Sequence, residues 1–306
     1  MLLSLDIDTY SPARDALAIL PYPPLPPQPS RASSGLQLRV GFEMAYQCPA
    51  PTPMLLALSI HYTRAGDLII PDLLQTEPPV PVDTYRDPFG NWCSRLIAPE
   101  GRLVLRTDAL LHDTGLPDVV VPSVQQVPVE QLPDAVLMYL MGSRYCETDQ
   151  LSDMAWLLFA NGPTGWARVQ AICEFVHHHI EFGYHHARRT RTALETYRER
   201  QGVCRDFAHL AIALCRCMNI PARYCTGYLG DIRSPVAPGP MDFAAWFEAY
   251  LGGHWYTFDA RNNTPRIGRV LMARGRDACD VALANTFGPN TLQRFTVWAE
   301  EVTPSL

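Results

Sequence analysis

Alternation of apolar and polar side chains is the first regular pattern in the chain. From Leu36 to Tyr46 every second residue is apolar, and polar residues such as Gln37 and Arg39 fall between them. This period of two is typical of a strand with one buried face. Further strand-like runs follow, separated by turn-forming residues, at 54–62, 67–70, 92–97 and 102–107. Short strands separated by turn-forming residues predict a β-sandwich in residues 35–115.

Helical periodicity replaces the alternation after a segment rich in valine and proline at 119–133. Apolar residues recur every three or four positions in four stretches, at 134–141, 151–160, 164–179 and 204–218. Strands are predicted after them at 222–229, 243–251 and 255–259. Helices followed by an antiparallel sheet are the order of an α+β domain. We therefore predict an α+β protein whose second domain occupies 116–306.

The first 34 residues differ from the rest in their proline content, which is highest at 21–29. Such composition predicts an extended, disordered leader rather than folded structure. A ligand for a partner that binds polyproline segments is the alternative.

Composition and charge narrow the class of protein. Hydrophobic residues make up 47% and charged residues 18% of the 306, which is enough to build a substantial core. The net charge of −6 argues against a nucleic-acid partner. No apolar run approaches the roughly 20 residues of a membrane span, so no membrane association is expected.

The start of the chain and the cysteines bear on location. Asp6 and Asp8 interrupt the short apolar start, and no basic residue precedes it, which does not fit a signal peptide. Nine cysteines without a paired framework suit a reducing compartment. We therefore predict a cytoplasmic location.

Cys204 is the candidate for chemistry, because it stands at the predicted start of a helix. Gly202 precedes it as a turn, and an apolar stripe follows at helical spacing. Unpaired N–H groups and the positive dipole end at a helix start favour a thiolate over a thiol. A nucleophile is thus one interpretation of Cys204, and a buried structural cysteine is the other.

The segment 241–263 predicts a hairpin that could complete a site. Gly252-Gly253 suits its two-residue turn. In that register Ala244, Trp246 and Asp259 share one face, and position 244 is the diagonal neighbour of Asp259. A histidine at 244 could hydrogen-bond Asp259 through one nitrogen and face a thiolate with the other.

Four separated motifs resemble those of bacterial transglutaminase-like proteins. They are 202–209, the strand 222–224 with Gly227-Tyr228, 245–250 and 255–259. The similarity covers 35–306, because the first part resembles the β-structured N-terminal domain of that subgroup. The resemblance implies a papain-like α+β core, a Cys-His-Asp triad and acyl transfer through a thioester, without a cofactor. Many bacterial members are thought to be peptidases or amide-processing enzymes.

Carried onto this chain, the resemblance implies that Cys204 is the nucleophile and Asp259 the orienting carboxylate. The triad histidine falls at position 244, where this sequence has Ala244. One hypothesis is a cysteine acyl-transfer enzyme, a peptidase, amide hydrolase or acyltransferase, that acts on a peptide bond or an amide side chain of a peptide or protein. The alternative is an inactive binding or scaffolding protein that keeps the cleft without its base.

Two histidines could in principle replace the missing base. His209 is turned from the sulfur by a rotation of about 140° around the helix, so a structural contact is favoured over a catalytic role. His254 lies at the turn, roughly 16 Å from Asp259 and on the opposite strand face, which makes it a poor candidate.

The remaining polar and aromatic candidates carry weaker signals. Asp206 is expected to stabilise the helix start, and Trp246 is either core or the wall of a substrate channel. The histidines at 177–179 and 185–186 do not have metal-ligand spacing, so no metal is predicted. The basic run 188–191 is expected to be a solvated face rather than an anion site.

Overall fold

Strands come first along the chain, and helices and a further sheet follow, as the hydrophobic pattern predicts. The computed structural model describes residues 35–235 and 241–302. The predicted leader at 1–34 lies outside the described residues. The helices are α1 (Asp134–Leu137), α2 (Thr148–Phe159), α3 (Trp166–His179), α4 (Ala193–Glu199) and α5 (Cys204–Cys217). The strands are β1 (Leu36–Cys48), β2 (Thr52–Leu56), β3 (Leu68–Ile70), β4 (Gln75–Glu77), β5 (Asp83–Arg86), β6 (Trp92–Ala98), β7 (Gly101–Asp113), β8 (Glu181–Phe182), β9 (Gln201–Gly202), β10 (Ala222–Leu229), β11 (Ala244–Leu251), β12 (His254–Phe258), β13 (Arg269–Gly275), β14 (Ala284–Thr286) and β15 (Thr291–Val302).

Two antiparallel sheets form the predicted β-sandwich. One has the strand order β15-β1-β7-β3, with β4 also paired to β7, and the other has the order β14-β2-β6-β5. Their inner faces share one apolar core, in which Val40 and Phe42 of β1 cluster with Met54 of β2 and Leu96 of β6. The alternation in β1 therefore marks a buried face, and the α+β fold class is confirmed.

The end of the chain returns to this sandwich. Strand β15 pairs with β1 from Gln37 opposite Val302 to Gln47 opposite Thr291, and β14 pairs with β2. Sequence analysis placed these residues in the second domain, 116–306, and predicted no strand among them. Of the 12 residues of β15 only Val297 is buried, so backbone pairing rather than side-chain burial defines this strand.

A third sheet, the central sheet, has the order β12-β11-β10-β13 and carries the candidate site. Helix α5 packs on one face of it, where Leu210 and Leu214 join Phe247 and Leu251 of β11 in a single core. On β10, Tyr228 belongs instead to the core of the sandwich. The two parts of the protein therefore share apolar contacts.

Several elements differ from the prediction. The expected strand at 54–62 ends at Leu56, and a 3-10 helix, Tyr62–Asp67, follows. Helix α4 and strand β13 were not predicted. Helix α4 begins with a capping box in which Thr192 and Glu195 bond each other's backbone N–H, a short signal that sequence analysis can detect.

Among the described residues no helix is long and apolar enough to cross a membrane.

The hairpin of β11 and β12 has the predicted register. Leu251 pairs with His254, and Phe247 pairs with Phe258. Gly252 and Gly253 have φ angles of 52° and 89°, which is the requirement of a type I′ turn. A Cβ on Gly252 would also lie 2.9 Å from Cγ1 of Val124.

Replacing the first turn glycine should therefore destabilise the fold. We expect Gly252→Ala to lower the free energy of unfolding by about 1–2 kcal/mol, because an L side chain is strained at this φ. Urea denaturation followed by circular dichroism measures the change. Gly162→Ala is the control, since its φ lies outside the left-handed region and its Cβ would meet only Phe159 O at 3.4 Å. Equal losses in the two variants would contradict the argument.

Candidate active site

Gly202 and Cys204 occupy the junction of a short strand and a long helix. Cys204 is the first residue of α5, and Gly202 pairs in parallel with Phe182 of β8. Gly202 is thus part of a strand rather than the predicted turn, and its φ is not positive. A Cβ at Gly202 would lie 2.7 Å from the Asp206 side chain. Position 202 therefore has no room for a side chain larger than that of glycine.

Asp206 holds this junction together. Its buried Oδ2 accepts hydrogen bonds from Val203 N at 3.0 Å and from Arg191 Nη1 at 3.1 Å. Oδ1 accepts a third from Arg205 Nη2 at 3.3 Å. The contacts fit the expected role at the helix start. Arg191, however, is buried in an ion-pair network, so the prediction of a solvated face for the run 188–191 is wrong at this residue.

The Cys204 sulfur lies against the backbone at the start of β11. Its Sγ is 4.0 Å from the Phe243 carbonyl oxygen, and a hydrogen bond from the Ala245 backbone reaches it. The two neighbours of Ala244 therefore contact the sulfur. The Ala244 methyl group itself packs in a small cluster with Trp246.

The thiol of Cys204 is held in its protonated form. Burial raises its pKa to about 12, and the carboxylates of Asp242 and Asp259 contribute to the rise. The Ala245 hydrogen bond and the Arg261 guanidinium act in the opposite direction and do not compensate. The expectation that the helix start favours a thiolate is therefore wrong for this sequence, because burial raises the thiol pKa.

Asp259 directly follows β12 and is buried as an ionised carboxylate. Oδ1 accepts a hydrogen bond from Asn262 N at 2.9 Å. Oδ2 accepts from Asn262 Nδ2 at 2.7 Å and from Arg269 Nη2 at 2.8 Å. Burial by itself raises the pKa of Asp259, but the Arg269 guanidinium and the Asn262 N–H groups hold it below its usual value.

His209 is fixed in the core by contacts of another kind. Its Nε2 accepts a hydrogen bond from Ala278 N at 3.1 Å, and its ring stacks on Tyr145 with centroids 5.2 Å apart. Burial lowers its pKa well below the usual value, so the imidazole is neutral. These contacts fit a structural role, and none of them involves Cys204.

Trp246 is a core residue by its burial, and its role as the wall of a substrate channel stays a prediction. It is buried, and it lines a cavity of about 400 Å³. The Arg269 guanidinium lies 5.1 Å from its ring centroid.

Histidines of the run 177–179 contact backbone carbonyl groups, and the rings of His185 and His186 lie 3.8 Å apart between centroids. Nδ1 of His177 lies 3.1 Å from Ala260 O, and Nε2 of His179 lies 2.8 Å from Tyr197 O. Within 35–235 and 241–302, no group of three or more His, Cys, Asp or Glu side chains is placed to hold a metal ion.

Sequence reasoning gave no role to three charged groups near the candidate nucleophile and its carboxylate, although the hairpin register places Arg261 on the face of Asp259. Asp242 and Arg261 act electrostatically on Cys204, and Arg269 binds Asp259. Asp242 and Arg261 flank the hairpin, where a single charged residue carries no chemical signal. Arg269 begins β13, which the sequence pattern did not predict.

The chain is similar in sequence and in structure to known proteins. Residues 158–260 match the family model of the transglutaminase-like superfamily. The crystal structure of a "Putative Cysteine Protease" from Cytophaga hutchinsonii is similar over 90% of this chain and 93% of that chain, with 30% identity and a TM-score of 0.76. The uncharacterized protein ML0607 of Mycobacterium leprae is 36% identical over 94 residues. That match spans 30% of this chain and about a third of the relative's length (33%).

Loss of the Asp206 carboxylate should destabilise the helix start. We expect Asp206→Ala to lower the free energy of unfolding by about 3 kcal/mol or more, because it removes one partner of a buried ion pair. Chemical denaturation measures the loss. Asp149→Ala is the matched control, since Asp149 is an exposed acidic residue in the first turn of α2, and it should cost about 0.5 kcal/mol. Similar losses would mean that Asp206 acts only through the helix dipole.

The raised thiol pKa predicts how Cys204 reacts with iodoacetamide. Only the thiolate reacts, and a pKa of about 12 leaves a thiolate fraction of order 10⁻⁵ at pH 7. We therefore expect the labelling rate to rise about tenfold per pH unit between pH 7 and pH 9. Peptide mass spectrometry measures the rate, with Cys204→Ser as the blank and exposed Cys279 as an internal reference. A rate that is flat over this range would show that the thiolate already predominates.

Proposed function

The chain belongs to the transglutaminase-like superfamily, and from this premise we propose that its Cys204 site performs cysteine acyl transfer on a peptide or protein substrate. One observation carries the proposal: the Cys204 sulfur stands at a helix start, between the backbone groups on either side of position 244. In the reaction Sγ attacks an amide carbonyl, an amine leaves, and the resulting thioester is resolved by water or by a second amine.

The first turn of α5 supports this chemistry with backbone donors. The N–H groups of Asp206 and Phe207 both bond to Val203 O. The N–H groups of Cys204 and Arg205 therefore have no acceptor inside the helix. Placed beside the sulfur, they are suited to stabilise the oxyanion that forms when the thiol adds to a carbonyl.

Position 244 is where this site departs from a complete triad. A histidine there would extend from backbone whose neighbours contact the sulfur, and the ionised Asp259 is suited to orient it. Ala244 provides no proton acceptor. We propose that acyl transfer is slow for this reason, since loss of one triad member costs several orders of magnitude in rate.

The second candidate is a binding or scaffolding protein that uses the same site without turnover. The thiol supports it, because burial raises the pKa of Cys204 to about 12 with no imidazolium to lower it. Such a protein would hold a peptide against α5 and leave its amide bonds intact.

Restoring the histidine tests both candidates. We expect Ala244→His to raise the rate of amine release from peptide or glutaminyl substrates by about 10²–10⁴-fold, the usual contribution of a general base. Ala244→Phe is the matched control, since it adds an aromatic ring without a base. Cys204→Ser in each background measures the uncatalysed rate.

The pattern of rates separates the candidates. Turnover that depends on Cys204 in the unaltered chain identifies an enzyme and excludes the scaffolding alternative. Turnover only in Ala244→His favours the binding protein. Absence of Cys204-dependent release from both proteins would overturn the acyl-transfer proposal.

A further inference from the structure

A second candidate site lies on the face of the central sheet that carries Ala244 and Trp246, the face away from helix α5. The cavity of about 400 Å³ is bounded by the face of β11–β13 that carries Trp246 and Glu248, by the connecting segment 116–119 and by the 3-10 helix Tyr62–Asp67. Its volume falls in the range of small-molecule sites, about 300–1,000 Å³. Trp246 and Leu271 supply apolar wall, and neither is among the groups that contact the Cys204 sulfur.

Arginines dominate the polar part of the wall. Four guanidinium groups line the cavity against three carboxylates. Each of these carboxylates is already paired with one of the arginines: Asp113 with Arg64 at 3.2 Å, Asp118 with Arg269 at 2.9 Å and Glu248 with Arg274 at 3.0 Å. The fourth guanidinium, Arg266, has Asn262, Gly230, Ser234 and Asp231 as its partners. The wall thus carries one more guanidinium than carboxylate.

Each of three wall arginines keeps an N–H group without an acceptor. Arg269 Nη1, Arg266 Nε and Arg274 Nε are buried and unbonded, and they are half of the six such side-chain atoms among the described residues. Arg269 is the most enclosed, with 8% of its side chain exposed. Buried donors without partners are costly, and guanidinium groups bind carboxylates and phosphates in preference to other groups.

We propose that this cavity binds a small organic oxyanion, a carboxylate or phosphate group on an apolar body, with Arg269 as its principal anchor. The charged end of the ligand takes up the spare N–H capacity of the guanidinium groups, and the apolar body lies along Trp246 and Leu271. This proposal goes beyond the acyl-transfer function and does not depend on it.

Arg269 connects the cavity with the candidate active site. Its Nη2 donates to Asp259 Oδ2 at 2.8 Å, and its Nε donates to Asp118 on the cavity wall. A bound anion therefore competes with Asp259 for the same guanidinium. Removing the Asp259 charge should free Arg269 and tighten anion binding, a gain that a partly unfolded variant would not produce.

Isothermal titration calorimetry on the full chain tests the site with three probes: benzoate, uncharged benzamide and inorganic phosphate. We expect one benzoate per chain, and at least about tenfold weaker binding of benzamide. Phosphate should bind more weakly than benzoate because it lacks the apolar body. Asp259→Asn should tighten benzoate about tenfold, which corresponds to about 1.4 kcal/mol.

Two tryptophan variants locate the binding. Val119 lines the cavity, whereas Val129 is a similarly exposed valine outside its lining. We expect Val119→Trp to weaken benzoate at least about tenfold and Val129→Trp to leave it unchanged. The proposal is overturned if benzoate does not saturate, if benzamide binds equally well, if only phosphate binds, or if Val119→Trp has no effect. An unchanged or weaker affinity in a folded Asp259→Asn variant would exclude Arg269 as the anchor.

Discussion

Packing of helix α5 against strand β11 is the constraint on which the candidate site depends. Phe207, Leu210 and Leu214 are buried against the strand, and each such side chain stabilises the contact by about 1.5–3 kcal/mol. Because the helix begins at Cys204, this packing also sets the position of the sulfur beside residues 243–245. Asp206 and the absence of a side chain at Gly202 allow the chain to enter the helix at that point.

The electrostatics of the site depend on the residue at position 244, between the Cys204 thiol and the Asp259 carboxylate. Asp259 is ionised because Arg269 and Asn262 stabilise its charge, whereas Cys204 stays protonated because burial and neighbouring carboxylates oppose a second negative charge. An imidazolium between them would favour the thiolate. With alanine at 244, the site has no imidazolium and stabilises the Cys204 thiol.

Arg269 lies between the two proposed sites, the Cys204 site and the arginine-lined cavity. It belongs to β13, it stacks on Trp246, and it divides its hydrogen bonds between Asp259 and Asp118. A ligand at the arginine-lined cavity would therefore act on the carboxylate side of the candidate active site through one side chain. Binding in the cavity and chemistry at Cys204 could in this way influence each other without a change of fold.

The sequence by itself determined the features that depend on local spacing. Alternation in β1, the apolar stripe of α5 and the two turn glycines at 252 and 253 were sufficient to predict the elements and the hairpin register, and with them the face shared by Ala244 and Trp246. Tertiary structure decided what depends on residues distant in the chain. The thiol pKa of Cys204, the core position of His209, the return of β15 to β1 and the arginine cavity all arise from packing between separate segments. Desolvation and long-range pairing have no period along the sequence, and so no local pattern could reveal them.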